Sequence, residues 1–465
     1  MDPMPGNRPG ARERIAIIGG DAAGMSAASL IARRHGDAVS VSVFERSSVV
    51  SYAACGLPYH VSGEIDDATT LLVREHEHFT RQGIDLHLGQ EVVDLDPGEG
   101  VLTTEDTSTG SRCDHAFDKV LIATGARARV PRIPGTDAPN VFSIRHYDDG
   151  VALADHVEAA GPLHATVVGA GYLGLEMAEA LTTRGLAVTL VEAASQVFPG
   201  LDPDLSTLIV DELWAHDVDL FLDNPLQAIE LDDDGRACAI HLKEHTLATD
   251  VVVLALGSEP VVELAERAGV ALDATGAIAV DRSMRTNLDN VWAAGDCAST
   301  HHRVTSDRAW VPLGPTANKQ GRVAGAAMMG EPAAFAGVVG TSLVKVFDLH
   351  VGRTGLNEAE ARRRDLDPVA TTITSDDIAH YYPGSKPTTI QLIADRAHRL
   401  LGAQVVGRSG VAGRVNVLAT ALSAGMTIDD VAELDLGYAP PFAPVWDPVL
   451  VAANKAIAAR EQTHS

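Results

Sequence analysis

Cys55 lies in the segment Ser51-Tyr52-Ala53-Ala54-Cys55-Gly56-Leu57-Pro58-Tyr59, and positions 58 and 60 are Pro58 and His60. Neither a CxxC nor a CxxxxC pair exists, so this thiol has no disulfide partner in its own segment. A lone sulfur placed shortly after a glycine-rich nucleotide turn must exchange electrons with something brought from outside. The other cysteines, Cys113, Cys238 and Cys297, are widely spaced. They form neither a disulfide framework nor a zinc pattern; all three read as structural, and no metal site is expected.

The clearest nucleotide motif is Gly169-x-Gly171-x-x-Gly174, with Tyr172 and Leu173 inside it. It follows a predicted strand, opens a predicted helix, and Glu192 closes the next strand. The glycines permit a tight turn and close approach of backbone to pyrophosphate at a helix N-terminus. The carboxylate can accept hydrogen bonds from a ribose diol, which favours NADH while leaving NADPH open. An earlier turn, Gly19-Gly20-Asp21-Ala22-Ala23-Gly24, is less regular, because Asp21 takes the middle place where close backbone approach usually wants glycine. Glu45 stands at ribose distance along the chain. Asp296, delivered by Val291-Trp292-Ala293-Ala294-Gly295, can bind a flavin ribityl hydroxyl, and Thr124-Gly125 supplies a second close approach. These residues point to FAD. Cys55 can then face the isoalloxazine, where helix dipole and flavin would lower the thiol pKa from about 8.5.

These groups need a scaffold, and the chain is long enough for three domains. Its 465 residues are 46% hydrophobic and 21% charged, with aromatics at only 4%, which suits layered α/β packing. The net charge of −27 argues against nucleic acid or an anionic membrane as partner. No apolar run is long enough to span a bilayer. Residues 1–13 read as a short disordered leader, not a secretion signal, and the wide spacing of the four cysteines points to a reducing cytoplasm. Short apolar strands alternate with helical patterns, as in βαβ units. Arg14–Ile18, a helix over 22–34 and Val39–Phe44 make one unit; Ala165–Val168, its helix and Ala187–Val191 make a second. The runs at 120–126 and 251–257 are buried strands ending in glycine, suited to crossings between the two cores. Beyond the two units there is no internal repeat and no low-complexity tract. From about Gly337 the pattern changes: strands at 342–347 and 388–394 precede a helix over 411–424. A Pro-rich tail, 438–448, follows as a fixed extended path able to reach a partner subunit.

These motifs resemble the flavoprotein pyridine nucleotide-disulfide oxidoreductases of the single-cysteine group, which includes coenzyme A-disulfide reductases, NADH peroxidases and NADH oxidases. The similarity runs through the FAD-like motif at 17–28, the second flavin-contacting segment at 312–325, and the dimerisation-like segments at 341–347 and Tyr438. It implies an α/β fold with two Rossmann-like dinucleotide-binding domains, for FAD and NAD, and a C-terminal α+β dimerisation domain. The expected division is 14–147 and 258–335 for FAD, 148–257 for NAD(P), and 336–465 for dimerisation. The resemblance places FAD on Gly19, Gly20, Ala22, Ala23, Gly24, Glu45, Arg46, Thr124, Gly125, Asp296 and Thr316. It places the nicotinamide nucleotide on Gly169, Gly171, Tyr172, Leu173, Gly174 and Glu192.

Within the group, peroxidases and oxidases carry a histidine where this chain has Ala22, which weighs toward disulfide reductase. Tyr438-Ala439-Pro440-Pro441-Phe442 and Tyr381-Tyr382-Pro383-Gly384 are similar to tyrosine segments of the coenzyme A-disulfide reductases. By that resemblance Tyr438 and Tyr382 serve the partner's active site in a homodimer, and Tyr381 packs. Ala54 stands where those reductases often have Asn, which puts the thiol carrier in question. Arg33 and Arg34 could meet the phosphates of coenzyme A. The implied activity is NADH-dependent reduction of coenzyme A disulfide, or a related disulfide or persulfide, through Cys55. The alternatives are an NADH oxidase or peroxidase, and an NADH-dependent flavin reductase serving a small redox protein.

Overall fold

The computed structural model describes residues 12–463. The expected leader, 1–13, therefore lies outside the described residues except for Arg12 and Glu13, and Glu13 already begins the first strand. Alternating burial in Val39–Glu45 and unbroken burial in Val251–Leu254 reflect their places within parallel sheets. Five parallel strands build the first sheet, in the order Val291–Ala293, Lys119–Ile122, Glu13–Ile18, Val39–Glu45, Ile84–Leu88. A second sheet repeats the plan: Asp219–Phe221, Ala187–Val191, His164–Val168, Val251–Leu254, Val141–Phe142. In both, the strand preceding a glycine turn is central, so each turn opens at the carboxyl end of its sheet, where ligands of such folds bind.

The two turns are built on the same steric rule. Gly19 has φ +109° and a Cβ there would meet Ala123 O at 2.2 Å; Gly169 has φ +104° and would meet Ala255 O at 2.4 Å. The last glycine of each turn seats its helix, α1 (Ala22–His35) and α3 (Tyr172–Thr183), directly on the first glycine's carbonyl. A Cβ at Gly174 would lie 1.7 Å from Gly169 O, whereas one at Gly171 would meet nothing within 4 Å. The chain crosses between the units at Ala126–Ala128 and Ser258–Pro260, which pair antiparallel just after the two buried strands.

Between α1 and α3 comes α2 (Leu57–Val61), a single turn that follows Cys55. Although it lies in the first unit by sequence, Leu57 and Val61 are buried in the core of the second, with Leu153, Leu175 and Leu181. Later, α4 (Gly314–Met328) crosses α1 closely: Cβ atoms at Gly321 and Gly325 would meet Ala23 O at 2.1 Å and Ala27 Cα at 3.1 Å. The C-terminal sheet is antiparallel, in the order Ser342–Val346, Leu349–Gly355, Leu400–Gly407, Pro387–Ala394, Val369–Asp376, with helix Val411–Ala424 against it.

The tail corrects the sequence expectation of an extended path. It turns at Pro440–Phe442, closed by an Ala439–Ala443 bridge, and Pro448 opens the helix Pro448–Thr463. Proline is acceptable there because the first helical turn needs no N–H from it. Two three-stranded meanders, 90–116 and 228–248, were not anticipated either.

The contrast between these two glycines of one turn is testable. Gly174→Ala is expected to cost roughly 3 kcal/mol or more, because backbone must move. Gly171→Ala is expected to stay within about 0.5 kcal/mol. Urea unfolding of the two variants measures the difference.

Candidate active site

A cavity of about 950 Å³ opens between the units and is lined by Gly169, Gly171, Tyr172, Leu173 and Glu192. Its opposite wall carries Ala128, Arg145 and the run 308–313, with Ser342 and Arg353 contributed by the C-terminal sheet. Tyr172, half exposed, hydrogen-bonds Ser342 through its hydroxyl and lies edge-on to Phe198 at 4.5 Å. Five of the six sequence-derived nucleotide residues thus share one space, while Gly174 lies behind it, packed against Gly169 O. The open volume at Gly171 is what a pyrophosphate needs from a glycine turn, so the residues present fit a dinucleotide.

The two acids are held alike. Glu192 accepts from Ala170 N–H at 2.7 Å and Ala194 N–H at 2.8 Å; Glu45 accepts from Gly20 N–H and Ser47 N–H, both at 2.8 Å. Each carboxylate ties its glycine turn to the end of the next strand and keeps free lone pairs for a diol. Around the first turn, Ala22 is half-buried while Ala23, Gly24 and Thr316 are buried. Thr124 Oγ1 donates to Val261 O at 2.7 Å, and Gly125 has φ +71° with open space beside it. Arg46 is exposed and bonded to His146 Nε2 at 2.8 Å. These residues fit the adenine and pyrophosphate half of FAD.

Asp296 sits on a turn after its strand, not at a helix N-cap, and pairs with Arg145. Trp310 Nε1 donates to Asp296 O at 2.7 Å, and Gln320 Oε1 accepts from Gly295 N–H at 2.9 Å. Arg145 was not foreseen; an arginine just before a helix carries no motif. Asp21 caps α1 without a side-chain hydrogen bond. Burial, then the neighbouring charge of Glu45, pushes its carboxyl up to about 6.

Cys55 is a free, exposed thiol in a 3₁₀ turn, one residue before Gly56 and α2. The expected lowering of its pKa is not what the polypeptide produces. Desolvation, then the negative charge of Glu176, push the thiol up, and Asp21 and Asp296 add to this while Arg145 opposes. A helix of one turn has too small a dipole to outweigh three carboxylates. Glu176 escaped the sequence reading; its only signal was a pair of acids three apart on an otherwise apolar helix. Cys297 is buried, its Sγ 3.4 Å from both Ile122 O and Ala294 O. Cys113 is exposed, so a packing role does not describe it.

The tyrosines lie elsewhere on the chain. Tyr438 and Tyr382 are both exposed, and the Tyr438 hydroxyl bonds that of Tyr381 at 3.2 Å. Within the chain the tyrosine that meets Tyr438 is thus Tyr381. Arg33 is exposed, and Arg34 pairs with Glu331. Glu212, His216 and Asp348 bring possible ligand atoms within 4.8 Å of one another, but Arg408 holds both Glu212 oxygens at 3.2 and 2.6 Å, which makes an ion-pair network.

Two family descriptions match the chain: pyridine nucleotide-disulphide oxidoreductase over residues 13–321, and the dimerisation domain of the same family over 341–448. The NAD(P)H sulfur oxidoreductase (CoA-dependent) of Pyrococcus furiosus is 38% identical over 445 residues, covering 95% of this chain and 99% of that protein. The coenzyme A disulfide reductase of Staphylococcus haemolyticus is 29% identical over 446 residues, covering 95% and 99%. The solved structure of a NAD-dependent persulfide reductase from A. fulgidus superposes with a TM-score of 0.93 at 37% identity, covering 97% of this chain and 84% of that one.

Asp21 yields a pH prediction. Its folded carboxyl binds a proton more tightly than the unfolded chain's, so its contribution to stability is full below about pH 4 and is lost as pH rises through about 6. Asp21→Asn removes that loss. In flavin-free protein it is expected to add about 2 kcal/mol above pH 7 and nothing near pH 4, read by urea unfolding at both values.

Proposed function

The chain belongs to the pyridine nucleotide-disulphide oxidoreductase family, and on that premise we propose that it is a FAD-dependent NAD(P)H:disulfide oxidoreductase acting through Cys55. Its substrate is coenzyme A disulfide or a related low-molecular-weight disulfide or persulfide. The observation that carries this reading is Cys55 itself, a free thiol in an exposed turn between two dinucleotide-fitting units, with no cysteine partner among the described residues. The disulfide and persulfide chemistry of the relatives named above supports it.

Bound FAD supplies hydride acceptance from NAD(P)H and delivery of an electron pair to sulfur. The polypeptide does the rest. Gly171 leaves room for the pyrophosphate of the nicotinamide nucleotide, and Glu192 presents a carboxylate to its ribose, which favours NADH over a 2′-phosphorylated donor. Cys55, as thiolate, attacks the incoming sulfur and expels a thiolate. Tyr438, whose hydroxyl bonds that of Tyr381, would give that leaving group a proton from the partner subunit of a homodimer. We assign FAD to 14–147 with 258–335, the nicotinamide nucleotide to 148–257 and dimerisation to 336–465. Tyr381, Phe442, Val445 and Trp446 are 64%, 78%, 66% and 62% exposed, an apolar surface that a second copy would cover in a homodimer. The four free cysteines suit a reducing cytoplasm. No helix among the described residues is long and apolar enough to cross a membrane.

Cys55→Ser is expected to lose at least about a hundredfold in NADH-dependent reduction of coenzyme A disulfide while retaining NADH-dependent reduction of ferricyanide. Undiminished disulfide reduction would refute the thiol mechanism. Mass spectrometry of Cys55 as isolated identifies the carrier: a coenzyme A adduct is expected. Trp446→Asp with Phe442→Asp is expected to sediment as a monomer where the unaltered protein sediments as a dimer.

A further inference from the structure

Glu176 and Glu179 stand three residues apart on α3, so their carboxyls leave the same side of the helix. Glu179 is buried and engaged: Lys345 of the C-terminal sheet pairs with it, and Phe347 N–H donates to its Oε2 at 2.8 Å. Glu176 has neither a hydrogen bond nor an ion pair among the described residues. Its helix packs against α2 through the core that holds Leu57, Val61, Leu175 and Leu181, and α2 begins two residues after Cys55. An unpaired carboxyl thus stands on the helix that packs against α2, close enough to Cys55 for its charge to act on the thiol.

We propose that Glu176 is a positioning residue for the redox centre that acts through Cys55, taking up a proton when negative charge forms on the sulfur. The inference rests on the disulfide-reductase reading above. When NADH opens a mixed disulfide at Cys55, the S–S bond breaks and one electron pair is transferred. The balance is Cys55–S–S–R + NADH giving Cys55–S⁻ + R–SH + NAD⁺, with the hydride's hydrogen ending as the proton of R–SH. One new negative charge stays on Cys55. An ionised Glu176 would repel it, and binding one solvent proton at the carboxyl removes that repulsion.

The surroundings suit such an exchange. Burial, with Glu179 second, pushes the Glu176 carboxyl up to about 7, where it can gain or lose a proton near neutrality. Cys55 also feels the charges of Asp21 at the cap of α1, Asp296 on the turn after its strand, and Arg145 just before helix Tyr147–Ala160. On α2, Tyr59 feels Glu176, Glu179 and Glu64 against Lys345, while His60 Nδ1 is engaged with Ile65 O at 2.8 Å. Of the acids acting on the thiol, Glu176 exerts the largest charge effect.

The test follows the pH dependence of iodoacetamide alkylation at Cys55 in the reduced holoenzyme, read by peptide mass spectrometry, with exposed Cys113 as internal control. Glu176→Gln is expected to move the Cys55 profile down by about half a pH unit, raising its rate at pH 7.5 about threefold. Glu176→Asp should restore the original profile, and Cys113 should not move in either variant. Coincident profiles for Glu176→Gln and the unaltered protein, or a uniform fall at every pH without a shift, would overturn the proposal. NADH-dependent cleavage of coenzyme A disulfide by the unaltered protein is measured alongside. Its absence with the shift intact sinks the substrate reading and leaves the coupling standing.

Discussion

Burial of Leu57 and Val61 in the second nucleotide unit is the contact on which the placement of Cys55 depends. A helix of five residues cannot hold itself in water, because nucleation costs more than one turn returns. α2 persists because these two side chains fill a core made by α3 and by helix Tyr147–Ala160. The fit is tight enough that a Cβ at Gly150 would meet Leu57 Cδ2 at 2.7 Å. Cys55, two residues upstream, is therefore pinned to one unit by packing and to the other by the chain that emerges from Val39–Glu45. Cys55 thus sits at the seam between the two units.

The same placement explains why its environment is acidic. Asp21 and Asp296 converge from the carboxyl ends of the first sheet, and Glu176 arrives on α3 from the second. Arg145 is the cation with the largest charge effect on Cys55, and it is already paired with Asp296. Three carboxylates gathered round a sulfur disfavour a resting thiolate. The charge that reduction creates must then be met by a bound cofactor, by Arg145 or by a proton. The twin turns show a related asymmetry: Gly171 leaves its slot open, while Asp21 fills the equivalent slot with a desolvated carboxyl. The two units share a backbone solution and differ in the electrostatics presented to their ligands.

Much of this architecture was legible in local pattern. Strand–glycine–helix order, the spacing from Gly169 to Gly174, and the acids at 45 and 192 report on backbone geometry, which neighbouring residues decide. The helix over 411–424 and both nucleotide units follow from period and turn chemistry for the same reason. Helix Pro448–Thr463 was hidden because proline-rich sequence before it argued against any regular element. The meanders were hidden because short exposed strands carry little periodicity.

Local pattern is enough to require that two glycine turns each seat a helix on a parallel sheet, and that one thiol stands without a partner in its segment. Sterics within a few residues decide such matters, since only glycine tolerates the positive φ at Gly19 and Gly169 and the contact that Gly24 and Gly174 make with those residues' carbonyls. Only the tertiary structure decided that α2 belongs to the second core, that Arg145 meets Asp296 across 151 residues, that Tyr381 rather than Tyr382 meets Tyr438, and that Glu176 stands unpaired near Cys55. Each of these is a contact between distant segments, set by how cores fill space and where charges are left when they do.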